Sequence, residues 1–196
     1  MRNANMEIVP MIMEKTLGLL MKKNPDEITM REIAKECGVT ATLIYHYFSD
    51  KTQLFQAIGL DCIQKLNQII VEASEKKRTP KTRCIAAAKA FRDWCFENPR
   101  KACLVMSGIE SKEDGPGEYL EKYYACNRTG ERLLKEAVKA GQAHSKDIAL
   151  DIGILISGLW GSCEAVILKK SEAKYWTEGV AFSDRFLQMW ENEVFN

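Results

Sequence analysis

Residues 29–51, TMREIAKECGVTATLIYHYFSDK, constrain the fold more tightly than any other stretch of the chain. Thr29 is placed to cap a first helix with Ile33 and Ala34 at its apolar positions and Met30 one turn earlier. Gly38 stops that helix, because glycine takes the left-handed conformation of a helix C-terminus at little cost. Thr40 caps a second helix over 41–48, in which Ile44 and Phe48 fall four apart on one side. Two capped helices about a glycine turn make a helix-turn-helix pattern.

The outer side of the second helix has a distinct chemistry. From Gly38 to Ser49 there is no Asp, Glu, Lys or Arg. The helix offers Thr40, Ala41 and Thr42 at its start, then Tyr45, His46 and Tyr47. Small residues at a helix start let the backbone approach base edges, and hydroxyl and imidazole groups suit phosphate oxygens. Asp50 caps a further helix, with Lys51 in its first turn, where the helix dipole also favours an anion. The residues by themselves equally describe the solvated face of an ordinary helical hairpin.

Thr29, Ile33, Ala34, Gly38, Val39, Thr40, Ile44, Tyr45, Phe48, Lys51 and Leu54 resemble the N-terminal signature of the TetR/AcrR family of transcriptional repressors, without a gap. The chain departs from that pattern at Cys37, where Ala is usual, and at Thr42, where Gly or Ala is common. Tyr47 stands where many members carry His. The resemblance implies an all-α fold with an N-terminal three-helix DNA-binding domain over 1–53 and a linking helix over about 50–74. Residues 75–196 would then bind an effector and form a dimer. It also implies Thr29, Thr40, Ala41, Thr42, Tyr45, His46, Tyr47 and Lys51 as the DNA-contacting set. The implied function is a cytoplasmic, homodimeric repressor on a palindromic operator of double-stranded DNA, released by a small molecule.

Charge alone does not point to DNA. Of 196 residues, 28 are basic and 27 acidic, a net charge of +1. Residues 1–53 carry seven basic and seven acidic side chains, so DNA affinity must come from placed contacts doubled in a dimer rather than from a diffuse field. Seven scattered cysteines without a Cys-x-x-Cys pair indicate buried thiols in a reducing compartment, not a disulfide scaffold or zinc site. No secretory signal is evident, and no apolar run reaches the length needed to span a bilayer, so no membrane partner is expected.

Helical periodicity runs through the remainder, and strand alternation is absent. A first helix carries Ile8, Met11, Ile12, Leu19 and Leu20, and Asn24-Pro25-Asp26 breaks it. Leu54, Phe55, Ile58, Cys62, Leu66, Ile69 and Ile70 mark the long helix over 50–74. The polar run 75–80 is the best domain boundary. Further helices are expected over about 81–97, 100–108, 118–140, 146–169 and 172–192, with a loop over 110–117.

Gly153, Ser157, Gly161 and Ala165 form a small-residue stripe, and Phe182, Phe186, Met189 and Trp190 an apolar row on the next helix. These either pack inside one chain or pair two copies through a four-helix bundle, the usual dimer contact of the resembled family. Phe91, Trp94, Met106, Tyr123, Trp160 and Glu164 are candidates for an effector cavity between the middle helices, where Glu164 would meet a cationic ligand. The other reading of each is ordinary core, or for Glu164 a solvent-facing charge. Two histidines leave no metal cluster or His-based triad, and no catalytic motif is present, so no catalytic residue, metal or cofactor is expected. A helical protein–protein adaptor and a small helical enzyme remain as alternatives.

Overall fold

Three side-chain caps organise the N-terminal end. Thr29, Thr40 and Asp50 adopt extended backbone and accept hydrogen bonds from the backbone N–H of Glu32 at 3.2 Å, Leu43 at 3.3 Å and Gln53 at 2.7 Å. Each satisfies an N–H that the first helical turn cannot. The computed structural model describes residues 2–109, 117–170, 172–175 and 180–195, with side chains from residue 7 on.

Among the described residues ten α-helices run in order: α1 (Arg2–Leu20), α2 (Met30–Cys37), α3 (Ala41–Tyr47), α4 (Lys51–Glu75), α5 (Pro80–Glu97), α6 (Pro99–Ser107), α7 (Gly117–Tyr123), α8 (Ala125–Lys139), α9 (Ile148–Ile167) and α10 (Ala181–Phe195). Among the described residues there is no strand. The all-α expectation holds, and α2 to α6 lie within a residue or two of where capping and proline signals put them.

Ile12, Ile33, Ile44 and Phe48 bury the inner face of the N-terminal bundle, and α4 carries the core onward through Leu54, Ile58, Leu66 and Ile70. Ile69 was expected in that row but is 42% exposed, because the helix turns it out beside Ile70. Around α4 pack α5, α6, α7 and α8, with α9 and α10 forming a hairpin beyond them. Arg92 of α5 is buried between two carboxylates, Asp93 at 2.7 Å and Asp184 of α10. A buried guanidinium left without these partners would be costly, so the pair ties α10 to α5.

Three sequence expectations are corrected. The helix expected over 118–140 is two, broken at Tyr124 (φ −91°, ψ 15°). Consecutive residues of a straight helix diverge by about 100°, and the break lets Tyr123 and Tyr124 line one cavity with their rings edge to face at 4.9 Å. The last helix begins at Ala181 rather than 172. Ala173–Tyr175 forms a separate 3-10 turn, and the Tyr175 ring meets Phe182 at 4.8 Å, closer than one straight helix would allow residues seven apart. Finally, α9 is 20 residues long and by length and composition apolar enough to cross a bilayer, where no apolar run of that length was expected. Here it packs on α5, α6, α8 and α10. Of the loop expected over 110–117, residues 110–116 lie outside the described set and Gly117 opens α7.

Candidate nucleic-acid interface

The turn between α2 and α3 rests on Gly38, whose φ of +67° only glycine adopts without strain. Its N–H bonds back to α2, as does that of Val39, to Ala34 O at 3.0 Å. This reversal presses Ile44 (fully buried) and Phe48 against α2 and turns the opposite side of α3 to solvent. The side turned out is the one free of full charges.

All eight expected DNA-contacting residues are accessible. Thr29, Thr40, Thr42, Tyr45 and His46 are exposed, and Ala41, Tyr47 and Lys51 are half-buried. Tyr45 is 52% exposed, too much for an aromatic with only a core role. The His46 and Tyr47 rings meet edge to face at 5.0 Å, and Tyr47 also packs against the core. Thr29 and Thr40 use their oxygens as acceptors in the caps and keep their hydroxyl protons for a phosphate. Lys51 donates to Pro25 O at 2.9 Å and lies 5.7 Å from the centroid of the Phe55 ring. An ammonium has three donors, so this bond aims Lys51 without exhausting it.

One cation went unread in the sequence. Arg31, in the first turn of α2 beside Thr29, is exposed and makes no ion pair with another described residue. Its only signal was its position between the inward-facing Met30 and Ile33.

The effector candidates divide. Phe91, Met106 and Tyr123 line one cavity of about 200 Å³ between α4, α5, α6, α7, α8 and α9, together with Ile63, Leu66, Cys126 and Ile156. Trp94 is buried and Trp160 half-buried, and neither lines that cavity. Glu164 does not line that cavity and pairs with Lys170 at 3.3 Å. The cavity lining is neutral. Burial pushes the Cys126 thiol up to about 12, which leaves it a protonated, weakly polar wall.

The second exposed face lies on α9 and α10. Leu150 and Ile154 of α9 are 59% and 49% exposed, and Met189 of α10 is 58% exposed. The small stripe faces outward too: a Cβ on Gly153 or Gly161 would meet nothing within 4 Å. Trp190 of the expected row instead turns inward, its Nε1 donating to Asp151 O at 3.2 Å. Gly158 is the glycine that close packing needs. A Cβ there would lie 2.1 Å from Phe186 Cζ.

Residues 12–58 match the pattern of bacterial regulatory proteins, tetR family. The HTH-type transcriptional regulator BetI of Rhizobium meliloti is 28% identical over 134 residues, 68% of this chain and 66% of that one. BetI of Brucella melitensis is 24% identical over 135 residues, 68% of each chain. A TetR family transcription regulator from Marinobacter aquaeolei VT8 superposes with a TM-score of 0.70 at 13% identity, covering 100% of both chains.

Proposed function

We propose that this chain is a DNA-binding transcriptional regulator of the tetR family that works as a homodimeric repressor released by a small molecule. In this reading residues 1–53 read DNA, α4 is the link, and residues 75–196 bind the effector and the second copy. The observation that carries it is the outward side of α3: accessible hydroxyl, phenol and imidazole groups between two caps, on a helix held by Ile44 and Phe48.

Thr40, Ala41 and Thr42 reach base edges, Tyr45, His46 and Tyr47 flank them, and Thr29, Lys51 and Arg31 hold phosphates. Two copies joined through α9 and α10 set their recognition helices about 34–36 Å apart, one turn of DNA. Chromosomal DNA places this activity in the cytoplasm, and no catalytic step is involved. The central cavity among Phe91, Met106 and Tyr123 accepts a neutral, largely apolar effector. Such a ligand releases DNA only by its differential affinity for the DNA-free state.

Selection of random duplexes on the purified protein tests the reading. A palindromic consensus with half-sites one helical turn apart is expected, protected by one dimer. Enrichment of no sequence above background would remove the repressor assignment and favour an adaptor.

A further inference from the structure

A larger cavity than the central one, about 580 Å³, lies where the N-terminal bundle meets the rest of the chain. That volume is in the range of small-molecule sites. Its floor is apolar: Leu20 at the end of α1, Phe55 of α4, Leu104 of α6, and Ile167 and Leu168 at the end of α9. Two cations, Lys23 and Arg100, stand among its lining residues, and no carboxylate does.

The two cations are not equivalent. Lys23 is engaged by Glu32 at 2.6 Å. Arg100 is exposed and has no carboxylate partner among the described residues. Its Nη1 only spans two backbone carbonyls, Leu20 O and Lys23 O, both at 3.4 Å. Bonds of that length are at the weak limit, whereas a guanidinium binds a carboxylate at about 2.7–2.9 Å through two parallel N–H donors. The nearby Glu164 is already matched by Lys170. The cavity therefore presents one uncommitted positive charge at the edge of an apolar floor.

We propose that this seam is a second ligand site, distinct from the central cavity, for an amphipathic carboxylate: the acid group on Arg100, the alkyl chain over Leu20, Phe55, Leu104 and Leu168. The site has walls from both sides of the seam. Arg100 now bridges α6 only weakly to the end of α1, and Pro25, also in the wall, is held by Lys51 at the start of α4. A carboxylate that draws Arg100 from Leu20 O and Lys23 O removes that bridge. The resulting change in the tilt of α3 matters to DNA only if the regulator reading above is right, but binding itself does not depend on that reading.

Decanoate, below its micellar concentration, is the probe, with decanol as the uncharged control. Calorimetry on the full chain should show one decanoate per chain. Arg100→Gln should weaken decanoate by about tenfold or more and decanol by less than about twofold, because only the charge-assisted pair is removed. Arg100→Lys should recover part of the loss. Ser107→Trp, which fills the mouth from an exposed lining position, should block both ligands, and Met106→Trp, in the central cavity, should block neither. The proposal is overturned if the wild type does not bind decanoate or if Arg100→Gln binds it as tightly. It is equally overturned if Met106→Trp abolishes binding while Ser107→Trp keeps it. Should Arg100→Gln not fold, Ser107→Trp against Met106→Trp decides. Operator binding measured without decanoate on the same samples separates failure of this site from failure of the regulator reading.

Discussion

Two faces of this molecule are open to a partner, and they differ in kind. The face on α3 shows Thr40, Thr42, Tyr45 and His46, hydrogen-bonding groups already wet in the free chain. The face on α9 and α10 shows Leu150, Ile154, Phe182 and Met189, with glycines that let a second backbone come close. Lys51 and Arg31, beside the polar face, would displace counterions from a polyanion, so affinity there falls with salt. An apolar face gains by excluding water, so its association follows protein concentration and is nearly indifferent to salt. In the proposed reading DNA meets the first face and a second copy the other.

The largest expected effect comes from breaking the apolar face. Ile154→Asp or Gly161→Leu should give monomers in sedimentation with helical content preserved, since neither position is packed in the single chain. Operator affinity should fall by about a hundredfold or more, because linked half-sites lose their effective concentration. A variant that stays dimeric would show that the two faces are not separate in the way described.

Next in size is base reading on the polar face. Thr42→Gly should alter the preferred operator and cost about 1–3 kcal/mol on the wild-type site. An identical consensus from both proteins in a selection would take Thr42 out of the base-reading set.

Lys51→Ala should weaken operator and unrelated DNA alike, and lower the salt slope by about one unit for each half of the dimer. Dimerisation should not change. A titration in which the slope is unaltered would leave Lys51 with only its local bond to Pro25.

A further effect is set by pH and acts on the fold rather than on either face. Burial raises the thiols of Cys62, Cys84 and Cys126, with Cys84 and Cys126 reaching about 12. All three lie away from α3. A group whose folded value is raised protects the fold fully below its unfolded value near 9 and loses that contribution as pH climbs toward 12. Stability should therefore decline above pH 9 by up to about 1.4 kcal/mol per unit for each such thiol. Melting curves flat from pH 8 to 10.5 would contradict this burial.

The helix-turn-helix was legible because its signals are local. Thr29, Gly38, Thr40 and Asp50 each act within four residues, and every one stands where the sequence placed it. The outward stripe on α9 was visible as a period of four, but whether it faced a neighbour or solvent was not. Trp190 and Met189 are adjacent, yet one is buried and one exposed, and the bond from Trp190 to Asp151 that decides this spans 39 positions. The cavity at the seam has the same origin, since its walls come from α1, α4, α6 and α9, and no period or cap responds to contacts between segments that far apart. The break at Tyr124 and the turn at Ala173–Tyr175 are local, but neither carries a proline or glycine to mark it. The Glu164–Lys170 pair escaped notice because it forms only where α9 has ended.

The fit of Phe186 over Gly158 also decides what a change at that place would do. The tip of the ring fills the volume that a methyl group at 158 would need, so Gly158→Ala would push the ring aside before it moved either backbone. The seat of α10 on α9 therefore rests on a side chain that can swing, and the outward surface of the hairpin is tuned by a ring packed against the core.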